Sequence, residues 1–252
     1  MESSSFLTVE DQQIDISQVI RYLQTSGKLG QFISDVLRQH VIEQELETQT
    51  EIDVSPALAE QTIIDFRLKN QLTDPQKFQE WLKNNGTDYA SFHTSVTFSF
   101  KLEKLKALVT ESKLPEYFIE RKLYLDRLVL SRIMVDSQEL AEELQTQIEE
   151  GSSFEQLAKE YSLADERIFN GMMGPISRGT LPDMLRAAVD VASPGQLIGP
   201  IEIEGRFGLF RLEHFLPASL EDNQLKQTLQ NELFDKWLGS KIQSLTVKLQ
   251  VS

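Results

Sequence analysis

The sequence predicts an α+β protein in which a helical region surrounds a smaller domain built on a β-sheet. Apolar residues recur at helical spacing from residue 16 to about residue 126. The segment Arg127–Val135 is instead a continuous apolar and β-branched run, which is typical of a buried strand, and residues 199–213 alternate as in a hairpin. With 252 residues, 40% of them apolar, the chain is long enough for two domains that each bury a core.

Capping residues divide the first half of the chain into helices. Asp15 can cap the first helix, and Ser55 followed by Pro56 favours the start of another. Asp74 precedes a third helix, which Gly86 ends. We therefore expect helices after positions 15, 55, 74 and 88, and a further one over 116–125.

In the second half, the strand at 127–135 is followed by two short helices, the first capped by Ser137 and the second over 153–161. A glycine-rich loop at 170–179 comes next, then a helix beginning near Pro182 and the hairpin, whose turn is expected at 204–206. A last helix follows Ser219. Residues 245–251 alternate as a half-buried strand, and we expect this strand to pair with residues 6–9.

These elements predict three segments. Residues 1–126 form an all-helical domain, residues 127–215 form the sheet-containing domain, and residues 216–252 supply a helix and a strand that pack on the first domain. The sheet-containing domain is thus an insertion, with a small antiparallel sheet and surrounding helices.

Charge and residue usage exclude several classes of function. The formal net charge of −14 would repel a phosphate backbone, so no nucleic-acid partner is expected. The absence of cysteine excludes disulfides, thiolate zinc sites and a thiol nucleophile. The three histidines, His40, His93 and His214, do not have the spacing of metal ligands. We therefore expect neither a metal site nor a cofactor.

The sequence also bears on location. No run of eighteen apolar residues occurs, so direct membrane insertion is not expected. Residues 1–10 lack a basic region leading into an apolar stretch, which predicts a cytoplasmic protein, with a periplasmic location as the alternative.

Five motifs between residues 127 and 215 resemble the parvulin family of peptidyl-prolyl isomerases. SFEQLAKEYS at 153–162 is similar to the family's dFaeLAkeyS, and NGMMG at 170–174 falls where GGdLG belongs. RGTLP at 178–182 matches rGqmvp with one residue missing. GQLIGP at 195–200 and GLFRL at 208–212 match GeisgPv and GyHIikv. A parvulin domain between a helical region and a C-terminal helix and strand is also the arrangement of SurA-like foldases, which are chaperones that bind unfolded polypeptides.

The resemblance implies a pocket that grips a proline ring. Met173 takes the family's leucine position, Thr180 or Leu181 its methionine position, and Met184 the position of its main phenylalanine. The implied substrate-binding residues are Met173, Leu181, Met184, Phe207 and Phe210, with Phe207 the weaker candidate.

The polar part of the family's site is altered. The family has two histidines and a cysteine or aspartate, and these positions fall on Arg132, Phe210 and Ala164. Phenylalanine cannot make the hydrogen bonds of an imidazole, and arginine donates without accepting. No catalytic residue is therefore assigned.

The resemblance implies a SurA-like foldase that binds unfolded or proline-containing polypeptides, with isomerase activity weak or lost. Two alternatives stay open. One is a fully active isomerase, whose rate comes from gripping and desolvating the substrate. The other is an accessory chaperone of a protein-export complex.

Overall fold

The computed structural model describes residues 5–49 and 51–249 and divides the chain into two compact units. The helical unit comprises Met1–Leu114 and Thr228–Ser252, and the sheet unit comprises Pro115–Gln227. The predicted α+β class, with a small antiparallel sheet in the inserted part, is confirmed. The units divide at residues 114 and 227, whereas the sequence pattern predicts boundaries at 126 and 215.

The boundary near residue 114 has a local cause in the contacts of helix α6 (Leu114–Leu125). Ser177 Oγ donates to the carbonyl oxygen of Tyr124 at 2.7 Å. The backbone N–H of Arg178 donates to the carbonyl oxygen of Asp126 at 2.9 Å. These bonds attach the end of α6 to the glycine-rich loop, so this helix belongs to the sheet unit.

In the helical unit, side-chain caps begin most of the predicted helices. The elements are β1 (Ser5–Val9), β2 (Gln12–Asp15), α1 (Ile16–Thr25), α2 (Leu29–Thr48), α3 (Pro56–Lys69), α4 (Pro75–Asn84), α5 (Tyr89–Thr110) and α10 (Asn223–Gln243), which begins in the sheet unit. Asp15, Asp74 and Asp88 each accept backbone N–H bonds in the first turn of α1, α4 and α5. Ser55 makes no side-chain cap, and α3 begins at Pro56 alone.

The predicted C-terminal strand and its pairing are wrong. β1 pairs with β2 through a two-residue connection in which Glu10 has φ 54°. Residues 245–249 form no strand, and residues 250 and 251 lie outside the described residues. Pairing two adjacent segments costs much less chain entropy than joining the two ends of the chain. The unit predicted as all-helical therefore also contains a two-stranded sheet.

Among the residues that the structure describes, two apolar clusters contribute to the packing of the helical unit. The first joins Val41 and Ile42 of α2, Leu105 of α5, and Phe234 of α10. The second joins α3, α4 and α5 through a set of aromatic rings. Its members include Ile63, Phe66, Phe78, Trp81 and Phe92. Most of the large apolar residues of α4 and α5 are therefore used in packing.

The sheet unit contains a four-stranded antiparallel sheet with strand order β4-β3-β6-β5. Its elements after α6 are β3 (Arg127–Val135), α7 (Gln138–Glu149), α8 (Phe154–Tyr161), β4 (Ile176–Ser177), α9 (Asp183–Val191), β5 (Leu197–Ile203) and β6 (Arg206–Leu216). Short 3₁₀ turns lie at Asp165–Phe169 and Arg178–Thr180.

The sheet is covered on both faces, which explains the continuous apolar run of β3. On one face, Leu130 and Leu212 pack with Leu185 of α9. On the other face, Ile133 and Leu209 pack with α7 and α8. Successive side chains of a strand point to opposite faces, so even-numbered residues of β6 such as Leu212 face α9 and odd-numbered ones such as Leu209 face α7 and α8.

Among the helices that the structure describes, none is both long enough and apolar enough to cross a bilayer.

Candidate functional site

A cavity of about 290 Å³ lies where β3 meets the turn between β5 and β6. Three of its lining residues are charged and three are apolar. They are Arg132, Met134, Ala164, Ile203, Glu204 and Arg206. Two of the six, Arg132 and Ala164, occupy positions at which the family has polar groups. The structure therefore brings a cavity to the position that the resemblance implies for the site.

Arg132, at the first histidine position, is held by Glu166 from the 3₁₀ turn. Its Nε and one terminal nitrogen both donate to Glu166 Oε2, at 3.0 and 2.7 Å. Burial acts to raise the pKa of Glu166, but the hydrogen bonds and the charge of Arg132 outweigh it, so this pKa lies below its ordinary value. Glu166 is therefore an acceptor for both hydrogen bonds at neutral pH, and it holds the guanidinium of Arg132 as a fixed donor.

Phe210, at the second histidine position, lies directly opposite Arg132 in the pairing of β3 with β6. Its side chain is only 2% exposed and packs in the core on the α9 face. The predicted role of Phe210 as a residue that contacts substrate therefore does not fit its burial. The Phe210 side chain packs against the core residues that include Met134 and Ala164 of the cavity wall, and it offers no hydrogen bond.

Ala164, at the third polar position, is buried at the cavity wall. Its backbone N–H donates to Ser162 Oγ at 3.2 Å, and the N–H of Met134 donates to the same oxygen at 3.1 Å. Ser162 thus joins the segment after α8 to β3. The three family positions come together as expected, but they offer one donor and no group that can both donate and accept.

The other predicted binding residues lie in three different environments. Met173 is half-buried and Leu181 is buried, and both pack on the α9-face core. Met184, in the first turn of α9, is 70% exposed. Phe207 packs on the opposite face, against α7 and α8. These four residues are not among the described residues that line the cavity.

The placement of Phe207 follows from strand alternation. It is three positions from Phe210, and an odd separation places two strand residues on opposite faces. The same rule identifies Met134 as a neighbour of Arg132 on one face, a residue that the sequence analysis missed. Glu204 and Arg206 were also missed, because they reach the cavity only through the turn that folds β6 back along β5.

The glycine-rich loop is fastened to β3 at Gly171. Its carbonyl accepts from the N–H of Arg132, and its N–H donates to the carbonyl of Glu166, both at 2.8 Å. Gly171 has φ +83°, and an added Cβ would lie 2.7 Å from the carbonyl oxygen of Arg132. Only glycine fits without strain here. Two residues on, the N–H of Met173 donates to Leu130 on β3, which fixes the methionine's position.

A second charged group stabilises the opposite face of the sheet. Arg211 donates to Glu213 at 2.8 Å and to Glu155 of α8 at 2.7 Å, with its guanidinium 4.8 Å from the ring centre of Phe154. The hydrogen bonds from Arg211, and then from Ser153, lower the pKa of Glu155 to about 2. This cluster attaches α8 to β6 and does not line the cavity.

The comparisons with known proteins agree with this geometry. Residues 131–214 match the family model described as a rotamase, the PPIC-type PPIASE domain. This segment is a parvulin-type isomerase domain. Its limits enclose the cavity residues from Arg132 to Arg206. The predicted resemblance to parvulin-type foldases is confirmed.

Relatives extend the similarity beyond this domain. The chain is 26% identical to foldase protein PrsA 2 of Bacillus anthracis over 200 residues, which are 74% of this chain and 67% of the relative. It is 29% identical to foldase protein PrsA 1 of Listeria innocua over 115 residues, which span 44% of this chain and 38% of the relative. A crystal structure of PrsA from Bacillus cereus covers 100% of this chain and 96% of its own, with a TM-score of 0.48 and 18% identity.

The prediction of a cytoplasmic location is wrong. The PrsA foldases to which the chain is similar are proteins that act outside the cytoplasm. The prediction depended on the composition of residues 1–10, which carries no information about how the relatives reach their compartment. The foldase relatives imply polypeptide clients, in agreement with the predicted class of partner.

Proposed function

We propose that this parvulin-domain protein is a foldase that binds unfolded, proline-containing polypeptides and has little or no isomerase activity. The observation that supports this most directly is the pair of residues at the family's histidine positions. Arg132 is bound to Glu166, and Phe210 is buried in the core.

The chemistry of isomerisation explains why these two positions matter. Rotation about a peptide bond has a barrier of about 18–20 kcal/mol, because amide resonance is lost in the twisted state. An isomerase lowers this barrier by binding the twisted amide more tightly than the planar one. Arg132 can donate but cannot accept, and Phe210 can do neither. We infer that a prolyl ring would pack on Met134, Ala164 and Ile203, which are the apolar part of the cavity lining.

Exchange spectroscopy by NMR on a short prolyl peptide tests both parts of the proposal. We expect the peptide's signals to shift on addition of the protein, while cis/trans exchange stays on the uncatalysed scale of tens to hundreds of seconds. Absence of any shift would contradict binding. Fast exchange with the unmodified protein would contradict loss of activity.

A gain-of-function variant sharpens this test. Replacing Arg132→His and Phe210→His together restores the family's imidazoles, so we expect exchange to accelerate. The matched control is Phe207→His, which places an imidazole on the same strand but on the opposite face of the sheet. Equal acceleration by the control would show that the cavity is not the site of catalysis.

The helical unit supplies a second surface suited to clients. Phe32 and Val36 are exposed one turn apart on α2, and together with Asp35 and His40 they line an open groove of about 470 Å³. Exposed apolar surface of this kind is typical of sites that bind polypeptides. We infer that extended apolar segments of clients bind here.

A light-scattering assay with an aggregating client tests this surface. The double replacement Phe32→Ser and Val36→Ser should reduce the suppression of aggregation several-fold. The control Leu108→Ser changes another exposed apolar residue of the same unit, on α5, and should have little effect. If the unmodified protein, the double variant and the control suppress aggregation equally, α2 has no role in binding clients.

We propose a protein-export complex as the partner of this foldase, because its relatives meet their clients outside the cytoplasm. Co-purification with a membrane transporter under native conditions is the test. Recovery of the protein without a transporter would favour a free chaperone.

A further inference from the structure

A second cavity, of about 370 Å³, lies in the sheet unit at the opposite end of β3. It shares none of the described lining residues of the first cavity. Asp126 lines it, and the six positions from Asp126 to Arg132 correspond to about 20 Å along an extended strand. The two cavities are therefore separate places on one sheet.

One wall of the second cavity presents a hydrogen-bond acceptor beside a donor. The side chain of Asp126 is only 4% exposed, and its Oδ1 accepts from Lys122 Nζ at 2.8 Å and from the N–H of Ala218 at 2.9 Å. Its Oδ2 lies 3.9 Å from a terminal nitrogen of Arg178, which is too far for a hydrogen bond. Arg178 uses Nε and its other terminal nitrogen on Asp190, both at 2.6 Å.

Asp126, Asp190 and Arg178 line the cavity, and Lys122, which is outside the lining, pairs with Asp126, so these four charges cancel. A cationic ligand would be repelled by Arg178, and an anionic one by Asp126. A primary carboxamide avoids both conflicts, because its nitrogen donates and its oxygen accepts. These two atoms lie on one edge, about 2.2 Å apart, and can face Asp126 Oδ2 and Arg178 together.

The remaining wall is apolar. Val189 and Ala192, at the end of α9, and Phe215 of β6 line it. Such a surface suits the methylene groups that carry a side-chain carboxamide. We propose that this cavity binds the side chain of glutamine or asparagine in a polypeptide. That the polypeptide is a client rests on the proposed function, whereas the preference for a carboxamide does not.

NMR titration of the 252-residue protein with three small probes tests the proposal. The probes are the N-acetyl methylamides of glutamine, glutamate and methionine, which share the same backbone amides. We expect the glutamine probe to shift the signals of the Ala218 amide and the Arg178 Nε–H in a saturable way. The other two should bind about tenfold more weakly, the loss expected for one hydrogen bond to a charged group. Equal binding of all three, or none by the glutamine probe, would overturn the proposal.

A variant that fills the cavity gives a second criterion. Ala192→Leu adds bulk at the cavity wall without changing a charge, and should abolish binding of the glutamine probe. The control Val191→Leu adds a methylene at the adjacent, exposed position and should leave binding unchanged. An amide spectrum that matches that of the unmodified protein away from the cavity shows that each variant is folded. If the prolyl peptide fails to bind to any form while the glutamine probe binds, the proposed function fails and this inference stands.

Discussion

Gly171→Ala tests how the glycine-rich loop is held against β3. The added Cβ would meet the carbonyl oxygen of Arg132 at 2.7 Å, Ala158 Cβ at 3.0 Å and a ring carbon of Phe154 at 3.3 Å. The closest atom belongs to the backbone of β3, which is held in the sheet here by the pairing of Arg132 with Phe210 of β6, so it cannot easily move aside. The variant therefore combines a conformational cost with a steric one.

Both costs can be estimated. A non-glycine residue in left-handed backbone costs about 1–2 kcal/mol, and overpacking of a core costs about 1–3 kcal/mol. Replacement of glycine also stabilises the protein by about 0.4–1 kcal/mol, because it reduces the conformational entropy of the unfolded chain. We expect Gly171→Ala to lower the free energy of unfolding of the sheet unit by about 3 kcal/mol.

Two other glycines provide matched controls. Gly151 also has positive φ, at +103°, but nothing lies within 4 Å of an added Cβ, so Gly151→Ala should cost only about 1 kcal/mol. Gly174 has ordinary φ and open space, so Gly174→Ala should be neutral or stabilise by up to about 1 kcal/mol. The difference between the two variants measures the contacts of the added Cβ at position 171, of which the one with Arg132 is the closest.

Urea unfolding can follow the two units separately. Both tryptophans, Trp81 and Trp237, lie in the helical unit, so fluorescence reports on that unit, and NMR amide signals report on the sheet unit. For a denaturant slope of about 2 kcal/mol per molar, Gly171→Ala should lower the NMR midpoint by roughly 1.5 M. Equal midpoints for Gly171→Ala and Gly151→Ala would refute the described contact.

Substitutions at three further positions test other contacts. Glu155→Gln removes an ion pair with Arg211, and since Glu155 is 45% exposed, we expect a loss of about 1 kcal/mol at pH 7. Because the pKa of Glu155 falls from 4.5 to about 2 on folding, this stabilisation is present above pH 4.5 and is lost towards pH 2. Urea midpoints of variant and unmodified protein should therefore converge in acid, and a pH-independent difference would contradict the assignment. Leu105→Ala, at a fully buried position in the helical unit, should cost about 3 kcal/mol and lower the fluorescence midpoint; an unchanged midpoint would place Leu105 outside the core. Asp74→Ala removes the cap of α4 and should lower the same midpoint by about 1 kcal/mol, with Asp74→Asn milder, whereas equal losses would indicate that capping is not the cause.

Local features of the fold could be predicted from the sequence, because their causes lie within a few residues. The helices after Asp15, Asp74 and Asp88 begin where predicted, since each carboxylate accepts N–H bonds from the next turn. Ser55 shows the limit of this rule, because its side chain makes no such bond. The parvulin motifs depend on spacing along the chain and correctly predict the order of elements in the sheet unit.

Features that depend on distant residues could not be predicted. Alternation at residues 245–251 indicates which side chains share a face, but it does not select a partner strand, and β1 pairs with its neighbour β2. In the candidate site, alignment predicted Arg132 and Ala164 at the cavity but not Arg206, which the β5–β6 turn brings there. The opposite orientation of Phe207 could have been derived from its odd separation from Phe210.

The bond from the Ala218 amide to Asp126 has an evolutionary consequence. It joins the residue just before β3 to a residue just after β6, so the two ends of this segment lie close together. Domains with adjacent termini can be acquired or deleted without stretching the host chain. A short link across this closure could replace residues 127–217, which carry the whole four-stranded sheet, so a single recombination event would suffice to gain or lose that sheet.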